Sequence, residues 1–455
     1  MTALLKDMAS GSPFFCTTSA VPSHNTVQAQ LNASHLFAVA GWGICCRTTT
    51  SACGSTHDYV SGRSSHLTFA DGLLHENNNT FRIFAQMDAA SPVEGPDTFS
   101  RVLPLPFRLQ FELVLAFWLW AFNLHAFHLL NIDISALIHY PARPTPDEPP
   151  LHVSTYRLAM LLTAMWTGAI ILFWNFTHAQ ADLVIAYHWI PNLLFLAVLA
   201  VLFAPRLPWT QSLFGSTSSH GVHRLLWGLF RCAPGGIAKA KGEKFGDVLL
   251  ADALTSYSKP ISEVFVTLCM LSKGIHTTSK PDRACGHESI VPLAMAWPFV
   301  IRLRQCIKEQ QWANAAKYAT AFPVIVLSSM MGKDATWKTI WRLAALVNSL
   351  YSFWWDVSMD WDLTLLSRHR HRSPFGLRQQ RVFRAPLLYY SVVAVDLVLR
   401  FAWSWKLSLA LVYLDGIEGG VFLLEIVELL RRWVWVYFRV ETEWVRSTQP
   451  ASIAL

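Results

Sequence analysis

The sequence predicts an all-α, polytopic transmembrane helical bundle of about nine or ten spans, and three observations carry that prediction. Of 455 residues, 53% are hydrophobic and only 15% are charged, with a mean hydropathy of +0.30. A typical soluble domain is about a quarter charged. Two runs, Leu158 to Ala181 and Leu183 to Pro205, contain no Asp, Glu, Lys or Arg, and each exceeds the roughly 20 residues that cross a hydrocarbon core. Leu113 to Ile132 is a third such run. Buried helices of soluble proteins usually hold only about 10–14 consecutive apolar residues, so a soluble core explains these runs poorly.

Along the chain, residues 1–100 are rich in Ser, Thr, His, Asn and Gly and show no sustained period, which predicts disorder. No apolar core follows Lys6, so no signal peptide is expected and insertion begins at the first internal span. Pro104 and Pro106 punctuate the chain before that span, near 108–131, and Pro141 to Pro150 forms a loop. Spans near 156–178 and 183–204 make a helical hairpin, Gly215 to Gly221 is a loop, and Val222 to Arg231 reads as a short membrane-surface helix. Later spans, near 246–271, 289–305, 314–332, 336–358, 386–405 and 407–438, carry polar residues. Such residues are penalised against lipid, so these spans line one another or a cavity. Pro260 and Pro323 fall inside two of them, where a broken helix can free backbone groups to coordinate a ligand, although a simple kink is the more common outcome. The expected divisions are a disordered segment at 1–100, N-terminal membrane helices at 101–235, a transport domain at 236–446 and a tail at 447–455.

The 37 Lys and Arg against 30 Asp and Glu give a net charge of +7. The basic residues gather in loops, Lys239, Lys241 and Lys244, then Arg368, Arg370, Arg372, Arg378, Arg381 and Arg384. The positive-inside bias accounts for both clusters, placing them in the cytoplasm with no nucleic-acid partner. Cys16, Cys45, Cys46 and Cys53 lie in the N-terminal segment, and Cys232, Cys269, Cys285 and Cys306 are scattered without a zinc pattern. His125 with His128, and His369 with His371, lack the spacing and acidic third ligand of a zinc site. No GxSxG, Walker loop or HExxH occurs, so neither an enzyme nor a cofactor or metal is expected.

Charge inside apolar helices is the main functional signal. Asp356 and Asp360 are four apart and stack on one helix face, where they repel unless a cation sits between them. Asp396 and Arg400 have the favourable acid-before-base spacing, with Trp403 one turn on and placed to stack on a guanidinium. Glu428 precedes Arg432 by four, next to Arg431, and Glu425 lies one turn earlier. Arginines held by carboxylates suit a mobile oxyanion: the guanidinium fork binds its oxygens, and nearby acids keep the site weak enough to release it. Asp247, Asp252, Lys317 and Tyr318 are further candidates, Lys317 equally readable as an interfacial anchor. Structural salt bridges that lock helices together are the plainer reading of any one residue.

The C-terminal part resembles the EXS domain of the eukaryotic phosphate exporters. The matching motifs are Arg302-Leu-Arg-Gln-Cys-Ile, Asn314-Ala-Ala-Lys-Tyr, Trp355-Asp-Val-Ser-Met-Asp-Trp, Tyr389-Tyr, Leu399-Arg-Phe-Ala-Trp and Glu428-Leu-Leu-Arg-Arg-Trp-Val-Trp-Val-Tyr-Phe-Arg-Val-Glu. Leu103-Pro-Leu-Pro-Phe-Arg, Asn123-Leu-His and Ile132-Asp-Ile-Ser-Ala-Leu-Ile resemble the opening of the short fungal branch named for retention of endoplasmic-reticulum proteins.

That resemblance implies a Golgi protein that returns luminal inorganic phosphate to the cytosol, thereby supporting glycosyltransferase recycling and retention of resident proteins. It places Asp252, Lys317, Tyr318, Asp356, Asp360, Arg400, Trp403, Arg431 and Arg432 on the phosphate path. Arg400, Arg431, Arg432, Lys317 and Tyr318 are then expected to bind substrate, Asp252, Asp356, Asp360, Asp396 and Glu428 to act as counter-charges, and Trp403 to gate. Two departures stand out. The basic helical bundle that senses inositol pyrophosphates in long members has no counterpart near the N-terminus, and Val291 lies about where those members carry another pathway arginine. The competing reading is a non-transporting sorting receptor or scaffold for Golgi glycosyltransferases. Partners are thus phosphate, membrane lipid and, on either reading, glycosyltransferases or their sorting machinery; a homodimer is left open.

Overall fold

The computed structural model describes residues 96–139, 150–203, 222–285, 287, 289–330, 335–363, 365, 376–378, 380–407 and 418–448. The expectations for residues 1–95, for most of the Pro141 to Pro150 loop, for Gly215 to Gly221, and for Arg368, His369, Arg370, His371 and Arg372 lie outside the described residues. Among those described, every regular element is helical.

A short α1 (Thr98–Val102) is capped by Asp97, which accepts from the Ser100 backbone N–H at 3.3 Å. The long α2 (Leu105–Leu129) follows Pro104, with Pro106 in its first turn, where a missing N–H costs nothing. A single turn, α3 (Ile134–Leu137), precedes α4 (Leu151–Thr177), which lies against α2. Trp166 Nε1 donates to the Phe107 carbonyl at 3.0 Å and Trp118 Nε1 to Thr163 at 2.9 Å, so the two helices run antiparallel. The hairpin closes with α5 (Ala181–Ala186) and α6 (Trp189–Phe203), and the short helix expected from Val222 is present as α7, over 222–232.

Five helical segments have the length and composition to cross a membrane: α2, α4, α5 with α6, α10 (Ile290–Lys308), and α14 (Pro386–Arg400) with the 3-10 turn after it. Their outward residues, among them Ile171, Leu172, Leu193, Leu196 and Leu293, are large, apolar and exposed. The buried side chains of the later helices are instead charged, an inside-out pattern that only a lipid surround makes favourable. The protein is a multi-pass membrane protein.

The two proline-bearing spans are broken, where a simple kink is the more common result of a proline. The first divides into α8 (Lys241–Ser256) and α9 (Ser258–Ser272), and the second into α11 (Trp312–Ala319) and α12 (Ala321–Ser328). Pro260 cannot donate to the Ser256 carbonyl, nor Pro323 to that of Ala319, so each proline becomes the third residue of a new helix. Then α13 (Ala335–Trp355) runs into a π-helical turn at Asp356–Asp360, and α15 (Glu418–Thr448) ends the described chain.

The bundle has two chemically distinct ends. At one, α2 and α15 begin side by side through Arg108 and Glu418, 2.8 Å apart, and Cys269 is bonded to Cys285. That disulfide corrects the expectation of four unrelated downstream cysteines: a spacing of 16 residues carries no recognisable motif, and only the turn after α9 brings the pair together. Gly274, at φ +69°, makes that turn, with Gly274 N–H donating to the Leu271 carbonyl and Ile275 N–H to that of Met270. At the other end lie Lys244 paired with Glu309, Arg378 with Glu441 at 2.8 Å, and an aromatic core of Phe127, Trp361, Tyr389, Trp435 and Phe438. The described basic residues Lys244 and Arg378 thus lie at this second end, opposite the disulfide.

Candidate functional site

Between the two ends, six elements bring buried charges to one place. Asp252 sits in the last turns of α8, just before the break, and its Oδ1 accepts from Arg302 Nε of α10 at 2.6 Å and from the Tyr318 hydroxyl of α11. Arg302 continues to Gln305 at 2.7 Å, and its guanidinium lies 5.0 Å from the centre of the Tyr318 ring. Neighbouring Lys317, 7% exposed, reaches Asp356 at 3.1 Å and Asp360 at 3.2 Å. This is the cation that two like charges one turn apart require, and it shows Lys317 to be buried rather than an interfacial anchor.

Asp356, fully buried, also takes Arg400 of α14 on its other oxygen, with Arg431 of α15 at 3.7 Å. Arg431 bonds Asp396 at 3.1 Å and grips Glu428 with Nε and Nη2 at 2.8 and 2.6 Å. Arg400 and Asp396 do approach as the four-residue spacing predicts, at 3.8 Å, but the nearer partner of Arg400 is Asp356. Glu428 pairs with Arg431, three residues on, and not with Arg432; the two arginines point different ways round the helix.

Arg432 is therefore different in kind. Among the described residues no carboxylate pairs with it; it donates to Ser256 Oγ at 2.7 Å and Thr255 Oγ1 at 3.1 Å, both beside the broken end of α8, and lies 4.5 Å from the Trp435 ring centre. Ser256 donates in turn to Glu428 at 2.6 Å. A cavity of about 440 Å³ opens between α2, α4, α7, α8 and α15, its wall mostly apolar but including Arg432, Asn123 and Tyr257, and also Arg224, Arg231, Glu243 and Asp247. A guanidinium held only by neutral hydroxyls, next to open space, keeps its charge available to an incoming anion.

Residues 103–445 match the EXS family. The chain belongs to that family. This EXS protein is 29% identical over 383 residues to Protein ERD1 homolog 1 of Schizosaccharomyces pombe, a match covering 80% of this chain and 96% of that one. Its identity to Protein ERD1 of Saccharomyces cerevisiae is 25% over 376 residues, covering 75% of this chain and 93% of the yeast protein. SPX and EXS domain-containing protein 1 of Dictyostelium discoideum is 27% identical over 373 residues, but these make up only 38% of that longer protein. The similarity is thus to short, ERD1-like EXS proteins along nearly their whole length.

The charged centre of the EXS protein gathers Asp252, Lys317, Tyr318, Asp356, Asp360, Asp396, Arg400, Glu428 and Arg431, with Arg432 joined to Glu428 through Ser256. Trp403 is at its edge. It does not stack on Arg400, because α14 ends at Arg400 and Trp403 belongs to the following 3-10 turn. It lies 5.7 Å from Trp341 edge-on, and its Nε1 donates to Ser349, which donates to the Arg400 carbonyl. Asp247 lies elsewhere, clasping Arg231 at 2.5 and 2.6 Å and the Ala238 N–H at 2.8 Å. Val291 packs in an apolar cluster beside the disulfide.

Sequence reasoning gave no role to Arg302, Ser256, Thr255 or Arg439, which lies between Asp360 and Glu443. Arg302 was detectable by the rule that found the others, as a charge inside an apolar span. The two hydroxyls were not, since Ser and Thr are unremarkable in any helix.

Proposed function

We propose that this EXS protein transports inorganic phosphate across the Golgi membrane, returning luminal phosphate to the cytosol. The observation that carries the reading is Arg432, a buried guanidinium with only hydroxyl partners at a cavity wall, one residue from Arg431 in a lattice of paired arginines, lysine and acids. Phosphate offers oxygens in the geometry a guanidinium fork fits, and its charge competes for Arg432 first because no carboxylate must be displaced. Beyond it, Arg431, Arg400 and Lys317 each share acids that can exchange one partner for another. Passing the anion along such a series keeps every binding step shallow, as conduction requires.

On this reading the two broken spans, α13 and α15 are counted as crossings beside the five apolar segments, which gives nine. An odd number leaves the two ends of the described region on opposite sides. The disulfide end then faces the lumen, where thiols oxidise, and the basic loops face the cytosol. Glycosyl transfer in the Golgi releases phosphate into the lumen; its export supports glycosyltransferase recycling and the retention of resident proteins.

The test is counterflow of inorganic phosphate in liposomes holding the purified full chain. Arg400→Ala and Arg432→Ala each lower the rate by tenfold or more, because a lost charge-assisted hydrogen bond is worth about 1.5–3 kcal/mol. Wild-type rates in both variants, with loss of glycosyltransferase binding instead, would establish the scaffold reading.

A further inference from the structure

A second group of buried charges lies one turn nearer the disulfide end. Glu112 of α2 and Glu425 of α15 face one another where those helices touch, with Lys259 and Glu263 of α9 beside them and Tyr257 at the break before α9. Arg108 pairs with Glu418 at 2.8 Å; Arg283, in the disulfide loop, pairs with Glu418 at 2.7 Å and Glu263 at 3.0 Å. Lys259 pairs with Glu263 and reaches Glu425 only at 3.8 Å. Three cations thus meet four acids, and the shortfall falls on Glu112. Its side chain is 1% exposed, and neither of its oxygens receives a hydrogen bond from a base, an amide or a hydroxyl, nor does Glu425 Oε1. Among the described residues, the two carboxyl groups have only each other within hydrogen-bond reach.

Two facing carboxyl groups cannot both stay ionised away from water, and an acid with no donor near it is neutralised instead. A metal ion could serve, but among the described residues no group of three or more His, Cys, Asp or Glu is arranged to hold one. A proton needs no such shell. The pair is also wired to the anion centre. Glu425 precedes Glu428 by one turn of α15, and Glu428 holds both Arg431 and Ser256; Ser256 and Lys259 flank the same break.

We propose that Glu112 and Glu425 form a proton-binding site, one proton shared by two carboxyl groups, filled from the disulfide end and coupled to passage of the anion. The coupling rests on the phosphate-transport reading above; the proton site does not. Loss of the proton puts a negative charge one turn from Glu428 and shifts the balance of its hold on Arg431. The anion and the proton therefore move together.

Two measurements separate the parts. Infrared difference spectra of the purified full chain between neutral and alkaline pH show the carbonyl stretch of a protonated carboxylic acid being lost, and this band disappears in Glu112→Gln and Glu425→Gln. In liposomes carrying inorganic phosphate and a trapped pH dye, a one-unit pH gradient changes phosphate accumulation about tenfold for one coupled proton. Both variants lose that response while phosphate counterflow continues, and because phosphate's own ionisation is the same in all samples, it cancels. No band in the wild type, or a band unchanged in both variants, overturns the site. A band with accumulation indifferent to the gradient overturns the coupling. A band without any phosphate flux supports the site and overturns the transport reading. Matching size-exclusion profiles show that the variants fold.

Discussion

Asp356 carries more of the centre than any arginine does. It is fully buried at the start of the π-turn, and Lys317, Arg400 and Arg431 all converge on its two oxygens. Replacing it by Asn leaves Lys317 to Asp360, and Arg400 and Arg431 to Asp396 and Glu428. Counting Arg432, one buried positive charge is then in excess, and breaking a buried pair costs about 3–5 kcal/mol. Asp356→Asn is therefore expected to lower the thermal unfolding midpoint of the detergent-solubilised protein sharply. Adding Lys317→Met removes that excess charge, so the double variant is less destabilised than the sum of the two single ones, by about 0.5–3 kcal/mol. Additive effects would show that the pair is not coupled. Asp356, Asp360, Asp396 and Arg400 were legible as functional candidates because a charge in an apolar run has few explanations. Which acid serves which base was not, since Glu428 turns to Arg431 and Arg400 to Asp356 across helices far apart in sequence.

At the scale of elements, the breaks at Tyr257 and Thr320 decide what the site can be. Each ends a helix beside a residue of the centre: Ser256 on one, Lys317 and Tyr318 on the other. A continuous helix through Tyr257 would carry Thr255 and Ser256 round with it and disturb their bonds to Arg432. Pro260→Ala restores the backbone donor whose absence separates α8 from α9, so the two can run on as one helix. The expected outcome is an unfolding midpoint equal to or above that of the wild type, with phosphate counterflow reduced about tenfold; undiminished counterflow would remove the break from the mechanism. The prolines announced these breaks in the sequence. Pro298, equally visible, lies inside an unbroken α10, so a proline marks where a break is permitted and packing settles whether it occurs.

For the whole molecule, the separation of ends gives direction. The Cys269–Cys285 bond closes a loop of 16 residues that carries Arg283, a partner of both Glu263 and Glu418. Closing a loop of this size contributes about 3 kcal/mol. Cys269→Ser with Cys285→Ser is expected to lower stability by that order in thermal unfolding. In sealed Golgi vesicles, the wild-type pair should react with a thiol reagent only after reduction. Labelling without reductant would place the disulfide end in the reducing compartment and reverse the orientation.

The sequence by itself determined that the chain is helical and membrane-spanning, where its apolar faces lie and which charged residues stand out, because each of these follows from local composition and spacing against the cost of burying charge in lipid. Tertiary structure alone decided the pairings: Lys317 between two aspartates, Arg432 left to hydroxyls, Cys269 joined to Cys285, and Glu112 set against Glu425 without a base. Glu112 and Glu425 are 313 positions apart in the sequence. Whether a buried charge is neutralised, shared or left open depends on the groups within a few ångströms, and those are set by how helices distant along the chain pack.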